Sequence, residues 1–170
     1  MPLSIEEINH FGQGQFIETL GWVFEHSPWV AERAWHRRPF ATLAHLSEAM
    51  DGEVASSTVD EQLALLRAHP DLGTRAKISP SSTDEQAGAG LDLLTSGEYA
   101  FLTDLNTAYR AKFGFPFLYA VKGSDKFAIL EALERRLGAA PDDEFAEALK
   151  QVYRIARFRL EGIIDGQGDT

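Results

Sequence analysis

Period-two alternation of apolar and polar residues is nearly absent from this chain, whose pattern is that of amphipathic helices separated by short polar breaks. The pattern predicts helices over roughly 4–10, 13–25, 28–37, 42–55, 59–68, 83–95, 97–113, 124–137 and 142–163. Ser4, Thr58, Ser82 and Thr95 each precede a glutamate by three positions, the spacing at which hydroxyl and carboxylate cap each other's orphan backbone N–H groups. Pro28 follows Ser27, and Pro141 stands before Asp142, Asp143 and Glu144, which suits the positive end of a helix. Gly114 and Gly138 close helical stretches and are expected in the left-handed conformation. The one strand-like stretch is FPFLYAV after Gly114, where Pro116 holds the chain extended. The fold class expected is therefore all-α: a compact, single-domain, irregular bundle of about eight or nine helices over residues 1–165, with 166–170 a flexible tail.

The last predicted helix can be resolved by angle. At about 100° per residue, Phe145, Leu149, Val152, Ile155, Ala156 and Ile163 share one face, with Lys150, Arg154 and Arg157 opposite. Arg159 falls within the apolar face. A buried guanidinium is costly unless an anion meets it, so Arg159 is expected to face a carboxylate, either a protein side chain or a ligand. Phe158 projects toward the polar side, where a neighbouring helix or a second subunit could cover it.

Composition narrows the function classes. A chain of 170 residues with 44% hydrophobic content is long enough to bury a core. Its 16 basic and 26 acidic residues give a net charge of −10, which opposes attraction to nucleic acid or to an anionic membrane. The lack of cysteine removes disulfides, thiolate nucleophiles and sulfur metal sites together. No run of about 18 apolar residues occurs, the start MPLSIEEINHF is acidic where a secretory signal is basic, and the end GIIDGQGDT carries no retention tripeptide. A soluble, cytoplasmic protein is expected. Metal-spaced histidine sets, phosphate loops, the dinucleotide GxGxxG and the GxSxG elbow are all missing.

One segment draws attention. The loop GTRAKISPSST separates two predicted helices and is flanked by His69 and Glu85, two groups able to move protons. His69 precedes Pro70, which forces it out of the helical conformation at a helix end; there it could either serve chemistry or interact with free carbonyls. Glu85 could equally complete a capping box with Ser82. Ser82 and Gln86 add a hydroxyl and an amide at a helix N-terminus, a setting that can hold a carboxylate. The following AGAGL allows close approach of a ligand or of another backbone. His10, His26, His36 and His45 lie among ordinary polar neighbours, where solvated or capping roles are the default.

Five segments in chain order resemble the OHCU decarboxylase family, which acts on 2-oxo-4-hydroxy-4-carboxy-5-ureidoimidazoline: WHRRPF (35–40), HPDLG (69–73), STDEQAGAGL (82–91), NTAYRAKFGFPF (106–117) and RIARFRL (154–160). The resemblance implies an all-helical, cofactor-free, metal-free decarboxylase of urate degradation. It makes His69 the proton donor and Glu85 its partner. Pro70, Ser82, Thr83, Asp84, Glu85, Gln86, Phe117, Leu118, Tyr119, Ala120 and Val121 become substrate contacts, and Arg159 matches the family's terminal-helix arginine. A homodimer is carried over as well. By this resemblance Arg159, Gln86 and main-chain N–H groups of Phe117 to Val121 orient the substrate, while His69 and Glu85 handle protons. The segment between HPDLG and STDEQ is shorter than in animal members. Two other classes compete: a non-catalytic interaction domain presenting FPFLYAV and Phe158, and a hydrolase that activates water on a related ureide.

Overall fold

Helices α1 Ile5–Asn9, α2 Gln13–Leu20, α3 Trp29–Ala34, α4 Leu43–Ala55, α5 Val59–Ala68, α6 Pro80–Gly88, α7 Ser96–Phe113, α8 Lys126–Leu137 and α9 Pro141–Ile163 make up the fold, with a 3₁₀ turn over Trp35–Arg37. The structure is a computed structural model and describes residues 2–74 and 78–165. The predicted tail 166–170 and the centre of the 74–81 loop lie outside the described residues. Among the described residues the β pairing is an isolated parallel bridge, Leu3 to Ile164, in agreement with an all-α class. No described helix is long and apolar enough to cross a membrane.

Three of the predicted caps form as expected. Ser4 with Glu7 and Thr95 with Glu98 make reciprocal capping boxes, and Thr58 exchanges the same pair of bonds with Glu61. The fourth does not. Ser79 caps α6 by accepting the Ser82 N–H at 3.2 Å, and Pro80 takes the first helical position, where its missing N–H costs nothing. Ser82 therefore lies inside the helix. The predicted helix 83–95 begins three residues early and stops at Gly88, because Gly88 and Gly90 weaken helix continuation and Gly90 adopts φ 81°.

Two other expectations are corrected. The predicted helix 13–25 ends at Leu20, since the consecutive residues Val23, Phe24 and Glu25 are all buried, which no single helix face allows. Gly138 is right-handed, with φ −85°. Its left-handed cap is unnecessary because Lys112 Nζ donates to the Leu137 and Ala139 carbonyls at 2.5 and 3.0 Å. Gly114 does close α7 with φ 81°.

The chain divides into two compact units, Met1–Ala68 with Tyr153–Thr170, and His69–Val152. In the first, α3 packs against α2 and α4 around Phe16, Leu20, Val30, Leu46 and Met50. In the second, α7 packs against α8, and Tyr109 gathers Phe113, Phe115 and Phe117 with ring centroids 4.5 to 5.9 Å away. The FPFLYAV stretch contributes the Phe115 and Phe117 rings to the core without joining a sheet. Its buried peptide groups must then find side-chain partners, which places unusual polar residues beside it.

Candidate active site

His69 follows α5 directly and is 5% exposed. The turn it opens is held at three successive residues. Arg110 Nε donates to Asp71 Oδ1 at 2.9 Å, Asn106 Nδ2 donates to the Leu72 carbonyl at 3.0 Å, and the Gly73 N–H donates to Gln86 Oε1 at 2.8 Å. Asn106 and Arg110 stand one helical turn apart on α7, so one helix face grips the turn from a rigid element. Gly73 has φ 73°, and a Cβ there would lie 2.4 Å from Leu102 Cδ2, so both backbone and space call for glycine. Pro70 is half-buried beside the histidine.

Helix α6 turns one face inward. Ser82, Gln86 and Ala89 are buried at helical spacing, and Glu85 beside them is half-buried. Thr83 and Asp84 sit on the exposed face, where the Thr83 hydroxyl donates to the Ser79 carbonyl. Because the cap is Ser79, Glu85 is not the third residue of a capping box with Ser82, and that alternative is corrected. The bond to Gly73 fixes the Gln86 amide: its oxygen is occupied by the turn, which leaves the nitrogen as the end that can donate to a ligand.

The Phe117–Val121 segment runs through the interior, with Tyr119 half-buried and its four neighbours buried. Three of its main-chain groups are held among the described residues, one of them the Val121 carbonyl, which accepts the Ser124 N–H at 2.9 Å. The Ala120 N–H donates to Gln151 Oε1 at 2.9 Å, and Arg136 Nη1 donates to the Leu118 carbonyl at 2.6 Å. Of the N–H groups of Phe117 to Val121 that the resemblance offers to the substrate, that of Ala120 is taken by Gln151. Behind it, Arg136 Nε lies 2.7 Å from Glu144 Oε1, which also accepts the Tyr109 hydroxyl at 2.5 Å. Burial, then the bond to Glu144, pushes the Tyr109 phenol well above its usual range, so it stays protonated and acts as a donor. Gln151, Arg136 and Tyr109 were not singled out in the sequence. Glu144 was noted only as a first-turn acid, yet it is 2% exposed.

In the first unit, Arg159 is 7% exposed and meets the carboxylate its position demanded: Nη2 lies 2.9 Å from Glu25 Oε2. The internal partner is therefore present. Glu25 is aimed inward by a turn in which His26, itself exposed, takes φ 46°. Phe158 is half-buried. The half-buried Asp51 carboxyl is pushed up to about 7, chiefly by burial, despite the opposing charge of Arg157. Its Oδ1 has no hydrogen-bond partner among the described residues.

Comparison with known proteins then places the chain. The 2-oxo-4-hydroxy-4-carboxy-5-ureidoimidazoline decarboxylase of Haloferax volcanii is 44% identical over 158 residues, covering 93% of this chain and 94% of that protein. The protein of the same name from Halalkalicoccus jeotgali is 43% identical, covering 94% and 90%. A solved (S)-allantoin synthase is 34% identical with a TM-score of 0.78; the match covers 96% of this chain and 54% of that one, so this chain spans about half its length. The profile of OHCU decarboxylase matches residues 9–161, and with these identities the chain belongs to the OHCU decarboxylase family.

Proposed function

We propose that this protein decarboxylates 2-oxo-4-hydroxy-4-carboxy-5-ureidoimidazoline to (S)-allantoin and carbon dioxide, in the degradation of urate. The observation that supports this most directly is the bond from Gly73 N–H to Gln86 Oε1, which ties the turn opened by His69 to the helix carrying Glu85. Family membership supplies the substrate.

Loss of carbon dioxide leaves an electron pair on carbon. In this substrate the carboxylated carbon adjoins a ring C=N bond, so the pair from the breaking C–C bond forms a ring C=C bond and moves the C=N electrons onto nitrogen, which takes a proton. The hydroxyl on the same carbon then releases its proton to become a carbonyl, while the neighbouring carbon receives one. We assign these last two transfers to His69 and Glu85, and delivery to one face sets the configuration of the product. The Gln86 amide nitrogen and the uncommitted peptide groups of Phe117–Val121 orient the ring and ureido group.

Freshly generated substrate, followed by circular dichroism, tests the assignment. The protein should speed the appearance of one allantoin enantiomer; racemic product at the spontaneous rate, or a ring-hydrolysed product, sinks it. A homodimer located in the cytoplasm completes the proposal, supported by the resemblance, and sedimentation at micromolar concentration checks the dimer.

A further inference from the structure

We propose that Gln151 and Arg136 are positioning residues for this reaction: they clamp the Ala120 N–H and the Leu118 carbonyl on either side of Tyr119 and so fix the substrate-facing path of the Phe117–Val121 segment. The inference rests on the function proposed above.

A buried segment outside helix and sheet has peptide groups that need partners. Here the partners are two long polar side chains, 5% and 7% exposed, reaching in from different helices, α9 and α8. Each is itself immobilised. Gln151 Nε2 donates to Glu147 Oε1 at 2.8 Å, which turns its oxygen toward Ala120. The Arg136 guanidinium lies over the Phe117 ring, 4.5 Å from its centroid, and is met by Glu144, which Tyr109 holds in turn. A guanidinium and a carboxylate are thus kept out of water beside a stretch of only five residues. Replacing a buried ion pair by hydrophobic residues of similar volume is often neutral for stability, so the Leu118 carbonyl that Arg136 holds in register offers a reason for the charges. Main-chain groups orient a ligand only as well as the chain is fixed, and these two anchors fix it from both sides.

Gln151→Met keeps the volume and removes the acceptor for the Ala120 N–H. KM for the ureidoimidazoline, and Kd for (S)-allantoin by calorimetry, should rise about tenfold, the scale of one hydrogen bond, while kcat stays within about twofold. Arg136→Lys keeps the charge opposite Glu144 but cannot also reach the Leu118 carbonyl, and it should show the same split. Amide exchange at Ala120 should quicken in Gln151→Met. Leu46→Ala, a core truncation in α4, serves as control: it should lower the melting temperature and leave KM unchanged. Folded Gln151→Met with unaltered KM and Kd overturns the inference, as does an equal KM rise in Leu46→Ala. Should Gln151→Met fail to fold, Arg136→Lys decides by the same two outcomes. Wild-type protein that does not accelerate the decarboxylation overturns the function and this inference with it, whereas an active wild type with insensitive variants overturns this inference alone.

Discussion

Gln86 Oε1 accepts the Gly73 N–H at 2.8 Å, joining α6 to the turn that His69 opens. Sequence spacing separates the two by thirteen positions, and part of the intervening loop carries the charges of Arg75 and Lys77. The bond brings the buried face of α6, with Ser82 and Gln86, to the histidine turn, and Glu85 neighbours Gln86 on that helix.

If His69 and Glu85 move the protons, His69→Ala and Glu85→Ala should each lower kcat by about a hundredfold or more, the usual contribution of a positioned acid or base. Far-ultraviolet dichroism should be unchanged. Stereoselective turnover close to wild type in both variants would remove the assignment.

The position of the α6 cap can be checked independently of activity. Ser79→Ala should destabilise the protein by about 1 kcal/mol, because it removes the acceptor for the Ser82 N–H. Urea unfolding measures it, and a loss under a few tenths would return the cap to another residue.

Arg159 and Glu25 form a pair that is almost completely withdrawn from water. Arg159→Leu alone should cost about 3–5 kcal/mol by taking the guanidinium charge away from the buried Glu25 carboxylate, and adding Glu25→Leu should recover most of that loss. A double-mutant cycle in guanidinium chloride reads the coupling; additive losses would show that the pair is not an energetic unit. Arg159→Lys, which keeps the charge, separates any effect on KM from the effect on stability.

Asp51 gives stability a pH dependence of opposite sign to an ordinary carboxylate. Folded, it holds its proton to about pH 7; unfolded, it releases it near pH 4. Between those values the native state binds more protons than the unfolded chain, so stability falls as pH rises through the window and the penalty is complete above it. Asp51→Asn should therefore match wild type below about pH 4 and exceed it by roughly 1–2 kcal/mol at pH 8, after allowance for solvent screening of a half-buried group. Thermal melts across pH 4 to 8 test this, and a constant difference would exclude Asp51 as its source.

What the chain could announce about itself was local or carried by motif. Capping at Ser4, Thr58 and Thr95, and the left-handed stop at Gly114, depend on residues within a few positions of one another, and they form as the sequence predicts. The apolar face of α9 is equally local, and it was enough to demand an anion for Arg159. The reading of Ser82 as a cap failed because a serine followed by proline, Ser79–Pro80, opens the helix one turn earlier, and the face of α6 that turns inward then takes Ser82 into the helix.

Partners far apart in the chain were decided by tertiary structure. No periodicity pairs Glu25 with Arg159, Glu144 with Tyr109, or Gln151 with Ala120, since a hydrogen bond needs atoms within about 3 Å and the spacing of residues in the chain does not encode that distance. Burial settled the rest: it stopped α2 at Leu20 to bury Val23, Phe24 and Glu25 together, and it turned an acid that looked like a helix-end charge into the centre of a buried network. Segments and their chemistry were thus written in the sequence, whereas the register between segments, on which any site depends, emerged only when the core closed.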